Sequence, residues 1–393
     1  MLAATHDDTI TGIISAIRLV AGNEPAVGLH EPTFAGRERD YVLECIDTGW
    51  VSSAGSFVNR FEQELCRHTG AQFAVAVVSG TAALHIALLD ACVRAGDEVL
   101  VPSLTFAATA NSVAHAGAIP HFVDSTWDNL GMDTKRLANY LREVAVPGKD
   151  GTVNRKTGRV IRAIVPVHIF GHAVDLEAVT AVAHDFDLTV VEDCTEALGS
   201  LSDGVPVGGK SRYAVLSFNG NKIVTTGGGG AVLTDDADVA RRVRHLTTTA
   251  KLPHRWEFNH DAVGYNYRLP NINAALGCAQ LEQLPGFVAR KRQLAERYIE
   301  AFANVADAKI FREPARCRSN YWLNALVLDR KLADRRDELL AACHGAGILA
   351  RPVWRLLHEL PHFSSSPRMA TPVAEDIARR IVNLPSSPHL IAS

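Results

Sequence analysis

Tyr213-Ala-Val-Leu-Ser-Phe-Asn-Gly-Asn-Lys222-Ile-Val-Thr-Thr-Gly-Gly-Gly-Gly-Ala-Val-Leu-Thr-Asp-Asp236 is the stretch on which the reading of this chain turns. Apolar residues run up to Ser217, a polar segment follows, and beyond the glycines a second apolar run covers Ala231 to Leu233. That pattern predicts strand, exposed polar turn, glycine turn, strand. Lys222 then stands on the turn among small and polar residues. A lysine with neutral neighbours loses its proton more readily and can attack a carbonyl to form a Schiff base. The ordinary alternative for a lysine on a turn is a solvated surface charge, so a chemical partner has to decide between the two.

One strand earlier, Leu188-Thr-Val-Val-Glu-Asp193-Cys-Thr-Glu196-Ala-Leu-Gly-Ser200 reads as a buried strand ending in acids and followed by small residues. Lys222 lies 29 residues beyond Asp193, room for one strand and its connections. A carboxylate at a strand's C-terminal end with a lysine one strand further on is the pair that pyridoxal phosphate requires. The lysine holds the aldehyde, and the carboxylate keeps the pyridine nitrogen protonated so that the ring accepts electrons.

Further outward, strands near residues 75, 99, 121, 163, 190 and 215 alternate with helical patterns. This predicts a mostly parallel sheet with right-handed crossovers and a site at the C-terminal ends of its strands. Ser79, Phe106, His168, Asp193 and Lys222 all fall just after strands. Phe73 to Val78 is a continuous apolar run, and Ser79-Gly80-Thr81-Ala-Ala-Leu opens a helix. Such a junction either presents free backbone N–H groups to a phosphate or is a simple N-cap by Ser79 or Thr81. Phe106, at the start of the next helix, is either a core aromatic or a ring that stacks on a flat ligand. His168-Ile-Phe-Gly-His172 has two histidines at i and i+4, but Gly171 interrupts it and no HExxH acid is present, so a strand-end loop is expected and no metal site.

Short amphipathic helices are predicted over 8–20 and 37–48, with another near 237–248. Residues 146–159 read as a solvated loop or hairpin. A helix over 271 to about 303, broken near Pro285-Gly286, links a large domain, 1–270, to a small α+β domain, 271–393, with a strand from Tyr321 to Leu328 and a helix over 334–344.

The chain's 393 residues, 47% hydrophobic and 21% charged, suit a globular α/β protein with a sizeable core. A net charge of −3 points to neither nucleic acid nor an anionic membrane. No apolar run approaches the roughly 18 residues of a membrane span, and no basic n-region precedes the first apolar segment, so no signal peptide is expected. Seven scattered cysteines without a CxxC pair read as reduced thiols of a cytoplasmic protein, not as a disulfide framework or a zinc site.

These stretches together resemble the sugar aminotransferases of the DegT/DnrJ/EryC1/StrS family, within the fold-type I pyridoxal phosphate enzymes. The resemblance extends from Leu29-His-Glu-Pro32 to Asn383-Leu-Pro-Ser-Ser387. It is closest to the LegC-like subgroup, on Leu29-His-Glu-Pro32, Val51-Ser-Ser53, Ser217-Phe-Asn-Gly-Asn-Lys222, Ser319-Asn-Tyr-Trp-Leu-Asn324 and Arg351-Pro-Val-Trp354. The resemblance makes Lys222 the lysine that holds the cofactor and Asp193 the partner of its ring nitrogen. Gly80, Thr81 and Ser217 become phosphate ligands and Phe106 the ring that covers the cofactor, with His168 on a loop beside it. Glu196 matches a residue near the cofactor's phenolic oxygen. Asn266 matches one that reaches the cofactor phosphate of the neighbouring subunit, which implies an obligatory homodimer. Cys194, where related chains often carry alanine, is a small departure.

The implied chemistry is ping-pong transfer of the amino group of L-glutamate to a 4-keto-6-deoxy nucleotide sugar, UDP-linked with a 2-acetamido group, with Lys222 as base and then acid. Arg255, Trp256, Arg351 and His358 are the candidates for the nucleotide-sugar pocket. A sugar dehydratase on the same fold is disfavoured because its relatives replace the lysine with histidine. A non-enzymatic regulator would lack the lysine, the carboxylate or the phosphate turn, and none is missing. A dinucleotide-binding dehydrogenase is disfavoured because no GxGxxG follows a strand.

Overall fold

The computed structural model describes residues 4–391. Its large sheet has seven strands: β1 Phe73–Val77, β2 Glu98–Pro102, β3 Ile119–Val123, β4 Ile161–Ile164, β5 in two pieces, Thr189–Val190 and Glu192–Asp193, β6 Ala214–Ser217 and β7 Gly230–Thr234. Their order is β3-β2-β4-β5-β6-β7-β1. β7 runs antiparallel to both neighbours, and the other pairings are parallel. β5 joins the two halves by bonding alternately to each side. Val191 N and Asp193 N donate to Ile164 O and Pro166 O at 3.0 and 2.9 Å, whereas Glu192 N and Cys194 N donate to Tyr213 O and Val215 O at 2.8 and 2.9 Å.

The central strands are buried on both faces, which is why they read as unbroken apolar runs and not as alternating ones. One face packs Val75, Val101 and Val215 under the helix Gly80–Asp90; the other packs Ala76, Leu216 and Leu233 under the helices Ser56–Thr69 and Asn271–Ala301. In the region 146–159, expected to be a solvated loop or hairpin, Ala145–Gly148 and Gly151–Asn154 pair as an antiparallel hairpin.

The helix expected to break at Pro285 is continuous from Asn271 to Ala301. A proline in mid-helix loses one i→i−4 bond and ordinarily kinks the chain. Here Pro285 and Gly286 face solvent, while Leu281, Leu284, Phe287 and Val288 on either side are buried in one core and hold the axis. The same helix passes from the large sheet to the small one, where Leu294 and Tyr298 pack with Leu326 and Leu328. The small sheet is antiparallel, with β8 Ala308–Ile310, β9 Asn324–Leu328, β10 Arg351–Pro352 and β11 Ile381–Leu384 in the order β8-β9-β11-β10. The first helix, Ala4–Ala21, grouped by its sequence position with the large domain, packs its Ile10, Ile13 and Ile17 into this small-sheet core. Among the described residues, no helix is long and apolar enough to cross a membrane.

Candidate active site

The C-terminal ends of β1, β2, β5 and β6 open on a cavity of about 270 Å³. Ser79, Gly80 and Thr81 form one wall at the start of the helix Gly80–Asp90. Ser79 caps that helix, its Oγ accepting from Ala82 N at 3.1 Å. The cap and the phosphate readings of this turn are therefore compatible: Ser79 stops the preceding strand, and the helix N-terminus it creates faces the cavity. Gly230 lets β7 run past this turn, since a Cβ there would lie 2.4 Å from Ser79 O. Ser217, at the end of β6, lines the same wall.

Asp193 ends β5 with its side chain at the cavity and is only 2% exposed. Its Oδ2 accepts from Thr109 Oγ1 at 3.0 Å and its Oδ1 from Thr195 N at 3.1 Å. Among the described residues it has no ion-pair partner within 4.0 Å. A buried carboxylate in that position suits a cationic ring nitrogen. Lys222 follows β6 on the predicted turn, but that turn folds inward and leaves its side chain 12% exposed. Burial holds its amine below the usual lysine range, against the opposing pull of Glu196 and Asp193. Nζ lies 3.6 Å from Glu196 Oε1 and 3.9 Å from the centre of the Trp322 ring.

Glu196 Oε2 accepts from Phe170 N at 2.8 Å. Burial pushes its carboxyl up to about 7, even though Lys222 and the Phe170 N–H favour the charged form. Such a group holds in the folded state a proton that the unfolded chain releases above about 4.5. Its stabilising contribution is complete below that pH and is lost as pH rises through about 7. Thermal melts of the cofactor-free protein between pH 5 and 8 are expected to lose less stability in Glu196→Gln than in the wild type; parallel curves would contradict this placement of the carboxyl.

The structure brings together Gly80, Thr81, Phe106, Asp193, Glu196, Ser217 and Lys222 around one cavity. His168 is not among its lining residues. It is 1% exposed: its Nε2–H donates to Glu192 Oε1 at 2.9 Å, and its Nδ1 accepts from Val174 N at 3.0 Å. His168, Glu192 and Cys194 bring their ligand atoms within 4.8 Å of one another, but both ring nitrogens of His168 are already used, and Glu192 also accepts from Gly208 N and Ser211 Oγ. The cluster is a buried hydrogen-bonded brace between β5 and the loop after β4.

Arg255, Trp256, Arg351 and His358 do not line the cavity of their own chain. Arg255 and Trp256 are exposed on the segment 250–263, Arg351 is exposed on the edge strand β10, and His358 Nδ1 is engaged with Ser103 Oγ at 2.6 Å. Asn266 is likewise exposed and away from the cavity. Conversely, Thr105, Thr109, Thr195, Asn219, Asn221, Trp322 and Trp354 do line it and were not singled out by sequence reasoning. Thr109 and Thr195 had a local signal, since they stand three residues after Phe106 and two after Asp193. Trp322 and Trp354 stand in stretches that carry the family resemblance, but no local spacing ties them to the site, because they arrive from the small-sheet region.

The cavity has a helix N-terminus at one wall, a carboxylate lacking a cation at another, and the Lys222 amine, held by burial below the usual lysine range, at a third; these three groups fit the phosphate, ring nitrogen and aldehyde of pyridoxal phosphate. On this sheet order such a site is that of a fold-type I pyridoxal phosphate-dependent transferase. The chain belongs to the DegT/DnrJ/EryC1/StrS aminotransferase family, whose model matches residues 32–392. It is 36% identical over 364 residues to the GDP-perosamine synthase of Escherichia coli O157:H7, covering 93% of this chain and 94% of that one. It is 34% identical over 366 residues to the putative pyridoxal phosphate-dependent aminotransferase EpsN of Bacillus subtilis, covering 92% and 91%. Among solved structures it resembles DesI, determined in the presence of its TDP-sugar product, with a TM-score of 0.81, 27% identity and coverage of 95% and 91%. The protein is a pyridoxal phosphate-dependent sugar aminotransferase.

Proposed function

We propose that the enzyme transfers the amino group of L-glutamate to C4 of a 4-keto-6-deoxy nucleotide sugar, giving a 4-amino-4,6-dideoxy sugar for glycan or nonulosonate biosynthesis. The observation that carries the chemistry is Lys222, a buried amine held between a carboxylate and an aromatic face at the mouth of a cavity that also holds Asp193. When bound, pyridoxal phosphate supplies an aldehyde and an electron-accepting ring. In this reading Lys222 Nζ holds the aldehyde at rest and, once free, takes the proton from the donor's Cα. Asp193 keeps a proton on the ring nitrogen, the N–H groups at Gly80 and Thr81 with the Ser217 hydroxyl hold the phosphate, and Phe106 covers the ring.

For the sugar, the LegC-like stretches favour a UDP-linked 2-acetamido substrate. A second reading, a GDP-linked sugar, is favoured by the likeness to GDP-perosamine synthases. A panel of UDP-, GDP- and dTDP-linked keto-sugars, assayed by 2-oxoglutarate release, separates them. Fastest turnover of the UDP-linked 2-acetamido-4-keto sugar is expected. Preference for GDP would replace the nucleotide, and conversion of 3-keto sugars alone would overturn C4 amination. Unpaired cysteines throughout the described chain suit the cytoplasmic setting expected from the sequence.

The active unit in this reading is a homodimer. Arg268 forms a buried ion pair with Glu62 at 2.8 Å and donates to Ala76 O at 2.8 Å, which pins the turn 264–268 to the large sheet with Asn266 outward. The adjoining segment exposes Trp256, Phe258 and Val263 at 70, 75 and 83%, an apolar group that a second copy would cover. Arg255 and Trp256, remote from their own cavity, would then stand near the partner's. Two inactive variants, Lys222→Ala and Asn266→Asp, are expected to regain part of the wild-type rate when mixed, dissociated and reassembled; a fully active monomer at assay concentration would contradict the dimer.

A further inference from the structure

Trp322 belongs to the small-sheet region, two residues before β9, yet its ring reaches the large-sheet cavity. It is 4% exposed and fixed at three points. Its Nε1–H donates to Asn221 O at 2.7 Å, on the turn that carries Lys222. Its backbone N–H donates to Asn320 Oδ1 at 2.8 Å, and its carbonyl accepts from Lys291 Nζ at 3.0 Å. Asn320 in turn donates through Nδ2 to Glu196 O and Leu198 O at 3.0 and 2.9 Å, which ties the indole to the loop that carries Glu196.

This arrangement strains the backbone. Tyr321 adopts φ of +47°, a left-handed conformation unfavourable for a bulky side chain, and is held there by a bond from its N–H to Ser319 Oγ at 2.9 Å. Gly171 is required beside it, because a Cβ at that position would lie 1.9 Å from Asn320 Oδ1. A strained turn and a close backbone approach are thus maintained around a tryptophan whose face meets the Lys222 amine at 3.9 Å.

A ring face attracts an ammonium through its quadrupole and gains little from a neutral amine. Glu196 is the close carboxylate of Lys222, Asp193 acts from further away, and a fully buried lysine of the long helix, Lys291, bonds the backbone carbonyl of Trp322. From the N-terminal segment, His30 interacts with both lysines and has neither ring nitrogen hydrogen-bonded. A proton-carrying lysine in such a place needs a seat to which it returns in each half of a reaction.

We propose that Trp322 is a positioning residue for Lys222: its indole face seats the protonated Nζ whenever that amine is free. The proposal rests on the reading of Lys222 as the cofactor lysine, but the contact itself exists in the chain without cofactor, and it is tested there. In cofactor-free protein, competitive acylation of Lys222 at a series of pH values, read by peptide mass, gives the midpoint of its titration. Trp322→Leu is expected to lower that midpoint by about one unit, a tenfold loss of preference for the ammonium, which is the scale of a partly desolvated cation–π contact. Trp322→Phe, with a weaker ring face, is expected to fall between Leu and wild type. An unchanged midpoint in Trp322→Leu, or Phe and Leu giving the same shift, would overturn the proposal.

Should the leucine variant fail to fold, 19F NMR of wild-type protein carrying 5-fluorotryptophan serves instead. The Trp322 resonance, assigned with Trp322→Phe, is expected to move with the Lys222 titration and to lose that movement in Lys222→Met. Persistence of the movement in Lys222→Met would overturn the seat. Because neither readout uses the cofactor, a failure here is distinguishable from a failure of the cofactor assignment.

Discussion

Lys222→Ala is expected to lower turnover by about four orders of magnitude, at the top of the range for removal of a general acid–base group, while the protein still binds pyridoxal phosphate. Lys222 is the buried amine that shares the cavity with Asp193 and the helix N-terminus. Among the described residues, no other lysine lines that cavity. The turn proposed to hold the phosphate is built from Ser79 to Thr81 and does not depend on Lys222, so binding through Gly80, Thr81 and Ser217 is expected to persist. Removal of the side chain also relieves Glu196 of its nearest cation, leaving a buried carboxyl that favours its neutral form still more strongly. The check is steady-state rate alongside equilibrium dialysis of the cofactor. Retention of more than a hundredth of the wild-type rate would remove Lys222 from the proton-transfer role.

Asp193→Ala carries the second largest expected effect. The carboxylate is buried and receives Thr109 Oγ1 and Thr195 N, two donors that fix its direction without neutralising it. Its proposed task is to keep a proton on the ring nitrogen, so that negative charge developing in the transition state is drawn into the ring. Loss of one such preorganised electrostatic group costs about 10²–10³-fold in rate. The variant is also expected to bind cofactor more weakly, because Thr109 and Thr195 then face the ring without their acceptor. Asp193→Glu keeps the charge but lengthens the arm in a site with little free space, and recovers only part of the rate. Equal activity of Asp193→Ala and wild type, measured at saturating cofactor, would contradict the role.

Much of this architecture was legible in the chain because its signals are local. Apolar runs such as Phe73–Val77 and Ala214–Ser217 are strands buried on both faces, and small or polar residues, Ser79-Gly80 and Asn219-Gly220, follow each within two or three positions. Alternation of strand and helix then places Ser79, Asp193 and Lys222 at one edge. The strand Gly230–Thr234 was visible as an apolar run, but its antiparallel direction goes with the loop 218–229, which holds no helix to make a parallel crossover.

What escaped the sequence depends on contacts between distant segments. Trp322 and Trp354 line the cavity because the long helix carries the small sheet to its mouth, and no spacing in the chain records that. Pro285 suggests a break that buried Leu284 and Phe287 override. His168 follows a strand as the site residues do, yet the backbone turns through Phe170 at φ of +55° and directs the imidazole to Glu192. Arg255, Trp256 and Asn266 carry polar or aromatic side chains suited to a ligand, but they stand exposed and away from the cavity of their own chain.

Borohydride reduction of the holoenzyme, followed by proteolysis and mass mapping, tests directly the assignment of Lys222 as the residue that holds the cofactor. The reduced cofactor is expected on the peptide containing Lys222 and on no other lysine. Its appearance on Lys291, the fully buried lysine of the long helix, or on any lysine outside the cavity would contradict it.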